Sequence, residues 1–187
     1  YGPVEIKRVL EEYFQETLVT NQEKTVRKEE KKHRFLMAVR EYMAEISDEK
    51  SIVYSWSLKL ESDRVYGYQL LMKEYYNDPE QALLLMQQVG RGWTVLERYQ
   101  KSGEMYPLAV FAAEVTGNPH FFDRNTVAGQ LLMHLICYAS GADLPENAHH
   151  WRERLEAVCI VSDNLSSMIH AYGLHLRTGK QWHPAYE

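Results

Sequence analysis

Apolar residues recur three and four positions apart along nearly the whole chain, a spacing that predicts helices. Ile6, Val9, Leu10, Tyr13 and Phe14 form the first stripe, running to about Leu18, with Pro3 where a first helical turn tolerates proline. Thr20 or Asn21 is placed to cap a second helix, and Glu23 sets an acid near its positive end. That helix extends to about Ile46, with Leu36, Val39, Met43 and Ile46 on its buried face; its first half, 23–34, is mostly charged. Ser47-Asp48 reads as a break and a new cap. Residues 52–60 admit strand or helix, and helix is favoured. Asp63 is a candidate cap for a helix carrying Val65, Tyr66, Leu70, Leu71 and Tyr75.

Asn77-Asp78-Pro79 is a stop and restart, with Asp78 as cap and Pro79 in the first turn. The stripe of Leu85, Val89, Trp93 and Leu96 crosses Gly90 and Gly92, which mark a kink or close packing. Residues 101–103 read as a loop. Leu108, Phe111, Ala112 and Val115 form a short helix ending at Gly117, a left-handed C-cap. Thr126 starts a helix with Leu131, Leu132 and Leu135 inward and Gly141 after its end. Residues 145–158 form another, with Trp151, Leu155 and Val158 on one face, and 168–176 read as a strand. The fold class expected is mainly α: a multi-helix domain with a short strand segment near the C-terminus. Residues 1–187 form one helical region, with a candidate sub-division near 101–106.

Composition narrows the picture. A chain of 187 residues with 45% hydrophobic and 12% aromatic content can bury a core and is not disordered. No apolar run approaches the roughly 20 residues of a membrane helix, and charges recur through residues 1–20, so neither a membrane span nor a signal peptide is expected. The location expected is cytoplasmic. The chain opens on Tyr1 and stops at Glu187, which points to a piece of a longer protein. Cys137 and Cys159 lie in apolar helical patterns without a CxxC and read as buried reduced thiols. The net charge is −5, so any DNA contact must come from a local patch.

Candidate chemistry is sparse. His149 and His150 are adjacent and point about 100° apart on a helix, which does not suit one metal ion. No HExxH motif, Cys/His cluster, G-x-S-x-G elbow or complete phosphate-binding glycine fingerprint occurs. Asp163, Asn164 and Ser166 read as turn and capping residues, although Ser166, Ser167 and His170 lie close in sequence. Asn118-Pro119 makes a turn in which His120 is a polar staple and Asp123 caps the next helix. Basic residues are the remaining signal. Lys24, Arg27, Lys28, Lys31, Lys32 and Arg34 crowd the start of the second helix, where Lys24, Arg27, Lys28 and Lys31 share one side. An i,i+4 bridge from Glu23 to Arg27 would make this a plain solvated face instead. A second, acid-free stretch from 164 to 186 carries Arg177 and Lys180. Either could meet phosphates.

Several segments carry a resemblance. They are Tyr13-Phe-Gln-Glu-Thr-Leu-Val-Thr-Asn-Gln-Glu23, Leu108-Ala-Val-Phe-Ala-Ala-Glu-Val-Thr-Gly-Asn-Pro-His120 with Asp123, the Trp151 helix, Asp163-Asn-Leu-Ser-Ser167 and Gly173-Leu174. In this order they resemble the helical N-terminal region of the toprim-containing nuclease subunit of Wadjet-type anti-plasmid defence systems. Gly117, His120, Asp123, Trp151, Asp163, Ser166 and Ser167 are the signature positions, with structural roles. The resemblance implies a non-catalytic accessory region of a bacterial defence nuclease, serving DNA positioning, dimerisation or docking. SMC-like and kleisin-like subunits would be its partners. The cutting acids and a divalent metal, Mg or Mn, would belong to a toprim domain downstream of Glu187. The alternative is a helical adaptor that binds another protein and no nucleic acid.

Overall fold

A computed structural model describes residues 6–17 and 19–162, together with the backbone of 177–178 and 181–182. The predicted stop at Asn77-Asp78-Pro79 organises its centre. Asp78 accepts hydrogen bonds from the backbone N–H of Glu80 (3.0 Å) and Gln81 (3.1 Å), and Pro79 occupies the first turn of α5 (Pro79–Ser102). This long helix packs against α2 (Asn21–Ile46), α4 (Tyr68–Asn77), α6 (Leu108–Thr116) and α7 (Val127–Ser140). It runs unbroken across both glycines. A Cβ on Gly90 would sit 2.6 Å from Met43 Sδ, so this glycine marks close approach of α2 and α5 rather than a kink.

The buried face of α2 is Phe35, Leu36, Val39 and Met43, as its spacing predicts. α3 (Ile52–Ser62) is helical and buries Val53, Trp56 and Leu60. One continuous apolar core runs from Phe35 to Ile160 and takes in Phe111, Phe122, Leu131, Leu132 and Leu135. α8 (Ala148–Glu156) closes one side of it through Leu155. Two short strands join distant parts of the chain: β1 (Tyr106–Pro107) pairs in parallel with β2 (Ile160–Val161). β3 (Arg177–Thr178) pairs antiparallel with β4 (Gln181–Trp182), with Arg177 opposite Trp182. The molecule is thus mainly α, with short strands toward its C-terminus. The strand expected at 168–176 lies outside the described residues.

Several boundaries differ from the sequence reading. α3 is capped by Ser51, whose hydroxyl accepts from Tyr54 N–H at 3.2 Å, rather than at Ser47-Asp48. Asp63 ends α3 instead of starting α4, leaving Val65 and Tyr66 exposed in the connection. The reason is tertiary: the indole N–H of buried Trp56 donates to the Tyr66 carbonyl at 3.1 Å and pins residue 66 outside either helix. α5 continues through the loop expected at 101–103 and stops at Gly103. α8 starts after Asn147, whose side chain accepts from His149 and His150 N–H, both at 2.9 Å. Cys137 is buried in α7 as expected. Cys159 is only half-buried, in a turn after α8 with φ +65°, and both thiols are free.

The first stripe does form a helix, α1 (Ile6–Phe14), but it buries nothing: Ile6, Val9, Leu10, Tyr13 and Phe14 are all exposed. Among the described residues no helix is long and apolar enough to cross a membrane.

Candidate nucleic-acid interface

The start of α2 is held by local chemistry. Thr20 Oγ1 accepts from Glu23 N–H at 3.1 Å, and Glu23 Oε2 accepts from Thr20 N–H at 2.7 Å, a reciprocal capping box. The other Glu23 oxygen accepts from Lys7 Nζ of α1 at 2.7 Å. The hydrogen bond from Lys7, followed by those from Thr20, holds the Glu23 carboxyl down at about 2, and Glu23 in turn raises the Lys7 ammonium. Glu23 therefore ties α1 to α2 and leaves Arg27 out; the i,i+4 bridge expected from the sequence does not form.

Lys24, Arg27, Lys28, Lys31 and Arg34 are exposed, and none is ion-paired among the described residues. The early turns of α2 extend past the core, so these cations form a ridge open to solvent. Lys32 does not belong to it. Its side chain is buried and its ammonium donates to Glu29 one turn back, which raises the lysine and lowers the acid. Position 32 lies toward the core face of α2, so the lysine is sequestered where its neighbours are free. Arg177 is placed only as backbone in β3. Lys180, Asp163, Ser166 and Ser167 lie outside the described residues.

The second cluster of sequence candidates surrounds the loop after α6. Gly117 ends α6 in the left-handed region at φ +78°, as its position predicts. His120 N–H donates to Asn118 Oδ1 at 3.0 Å, and His120 Nδ1 meets Asp123 Oδ2 at 3.0 Å, which makes the expected polar staple. Asp123 is not the cap of α7. Thr126 is: its hydroxyl accepts from Gly129 N–H at 3.0 Å and donates back to the carbonyls of Phe121 and Asp123, both at 2.8 Å. Asp123 lies one turn too early and is spent on His120.

Trp151 lies half-buried in α8, with the Arg124 guanidinium 5.6 Å from the ring centroid. His120, Asp123, Arg124, Trp151 and Arg152 all line one cavity of about 360 Å³, floored by Leu108. His120 and Asp123, from one loop, thus share one concave wall with Trp151 of α8. Arg124 and Arg152 were missed by the sequence reading; the available signal was that each directly follows a signature residue, Asp123 or Trp151.

Matching the chain to family models gives one result: residues 1–176 fit the model described as "Protein of unknown function N-terminus (DUF3323)". The chain belongs to this family. No curated protein and no solved structure matches it. The family segment covers the α2 ridge, the staple and the cavity together. No group of three or more His, Cys, Asp or Glu side chains is placed to hold a metal among the described residues.

Proposed function

We propose that this chain is the helical, non-catalytic accessory region of a longer bacterial anti-plasmid defence nuclease, and that it positions DNA along the α2 ridge. The observation that carries this reading is the set of five exposed cations, Lys24, Arg27, Lys28, Lys31 and Arg34, free of ion pairs among the described residues. Phosphate contacts of this kind neutralise the backbone of DNA without reading its sequence. The order of matching segments supports the comparison with the toprim-containing nuclease subunit of Wadjet-type systems. The family description, which names an N-terminus, supports a larger protein. On this reading the cutting acids and the Mg or Mn ion belong to a toprim domain elsewhere in that protein, with SMC-like and kleisin-like subunits as partners.

A protein-docking role is favoured by one separate observation, the exposed apolar face of α1. The two readings part on one experiment. The variant combining Lys24→Glu, Arg27→Glu, Lys28→Glu and Lys31→Glu is compared with the parent in a salt titration of duplex DNA binding. The expected result is lost binding, with the salt slope falling by about 0.9 for each phosphate contact removed. Undiminished binding by a variant with unchanged circular dichroism would overturn the DNA role of the ridge and leave the adaptor reading.

A further inference from the structure

The cavity beside α8 is separate from the α2 ridge and is built differently. Arg124 and Arg152 both line it, and neither is ion-paired among the described residues. The carboxylate on the same wall, Asp123, is engaged by His120. Two guanidiniums on a concave surface without carboxylate partners suit a phosphate oxyanion, because each planar fork donates parallel hydrogen bonds. Trp151 adds a flat aromatic surface, with Arg124 over its ring. Aromatic surface next to cationic donors is the chemistry that holds a base and its phosphate together. A volume of about 360 Å³ falls within the range of small-molecule sites.

We infer that this cavity binds a phosphorylated nucleoside, with the phosphate on Arg124 and Arg152 and the base against Trp151. A single-stranded nucleic acid and a free nucleotide present the same chemistry to it. An acidic peptide would satisfy the arginines but bring no flat ring to stack beside the indole, so the nucleotide is the better match. The inference does not rest on the α2 ridge.

The test titrates the full chain with inorganic phosphate, AMP and a 5′-phosphorylated single-stranded DNA hexamer, read by calorimetry and by the Trp151 indole resonance in NMR. AMP or the hexamer is expected to bind at least about tenfold more tightly than phosphate, since only they use the ring. Arg152→Gln is expected to weaken that binding about tenfold, and Arg124→Gln to do the same, with circular dichroism unchanged. Tighter binding of the hexamer than of AMP assigns the site to nucleic acid; the reverse assigns it to a free nucleotide. Lys28→Glu on the ridge should leave AMP binding intact, which separates this site from the ridge. A Trp151 resonance unmoved by all three probes at millimolar concentration would overturn the inference. So would binding indifferent to both arginine variants, or displacement of AMP by oligoglutamate at equal concentration.

Discussion

The α2 ridge and the cavity beside α8 are both cationic surfaces, but they are made in opposite ways. The ridge comes from one stretch of one helix, and its charges are brought together by the 3.6-residue period alone. Part of its support is local as well, the Thr20–Glu23 capping box, and part comes from α1 through Lys7. The cavity draws Leu108 from α6, His120, Asp123 and Arg124 from a loop, and Trp151 and Arg152 from α8, so it exists only when the core is assembled. A surface of the first kind tolerates substitution, because removing one charge leaves the backbone in place. A surface of the second kind depends on residues that never touch it.

That contrast breaks most visibly at Gly129. A Cβ there would press on the backbone carbonyl oxygen of Asp123 and lie 2.6 Å from that of Phe122, neither of which can swing aside. Gly129→Ala should therefore destabilise the chain by about 3 kcal/mol, the upper end for overpacking, as measured by chemical denaturation. It should also shift the His120 and Arg124 resonances while leaving those of Lys24 and Lys28 in place. In an unobstructed helix the same change would stabilise by about 1 kcal/mol, so the sign alone decides whether α7 packs directly on the loop.

A smaller effect is expected on the ridge. Thr20→Ala removes half of the capping box and should cost about 1 kcal/mol. Because the first turns of α2 extend past the core, the loss should be local. It should speed amide exchange at residues 22–24 and move the global unfolding midpoint by less. Equal slowing or speeding of exchange throughout α2 would show that the two halves of the helix melt as one.

The smallest effect is in pH. Glu23 is held from its ordinary value of 4.5 down to about 2 by Lys7 and Thr20. A carboxyl held low in the folded chain contributes stability above its ordinary value and loses that contribution as the pH falls toward about 2. The N-terminal turns of α2 should thus fray between about pH 4.5 and 2, followed through the Glu23 side-chain carbon shift. Lys7→Ala should move that midpoint upward. The cavity resonances should not follow this titration.

Asp78-Pro79, Thr126, Gly117 and Gly141 are legible in the sequence, since each acts through backbone groups within four residues of itself, whereas Thr20 and Asn21 both qualify to cap α2 and the structure chooses Thr20. Ser47-Asp48, Asp63 and Asp123 read as helix starts but do not cap one. Short polar side chains at neighbouring positions qualify equally well: Ser51 caps α3 and Thr126 caps α7, while Asp63 ends α3 and the Trp56 indole holds the Tyr66 carbonyl beyond it. Lys32 crowds with its basic neighbours in sequence, but it stands one turn before Leu36, so the helical period already puts it on the core face, and the structure buries it there. The stripe of α1 had the correct period for a helix, but periodicity states that one face is apolar and not that anything covers it.

Dihedral preferences, capping and a fixed helical period are enough to set the helical class, most helix starts and stops and the crowding of cations on α2, and all three are written along the chain. Only packing settles that Gly90 marks close approach of α2 and α5 rather than a kink, and that Arg124, Trp151 and Arg152 line one cavity. Those outcomes depend on which helices pack together, and packing brings into contact residues whose separation along the chain carries no record of it.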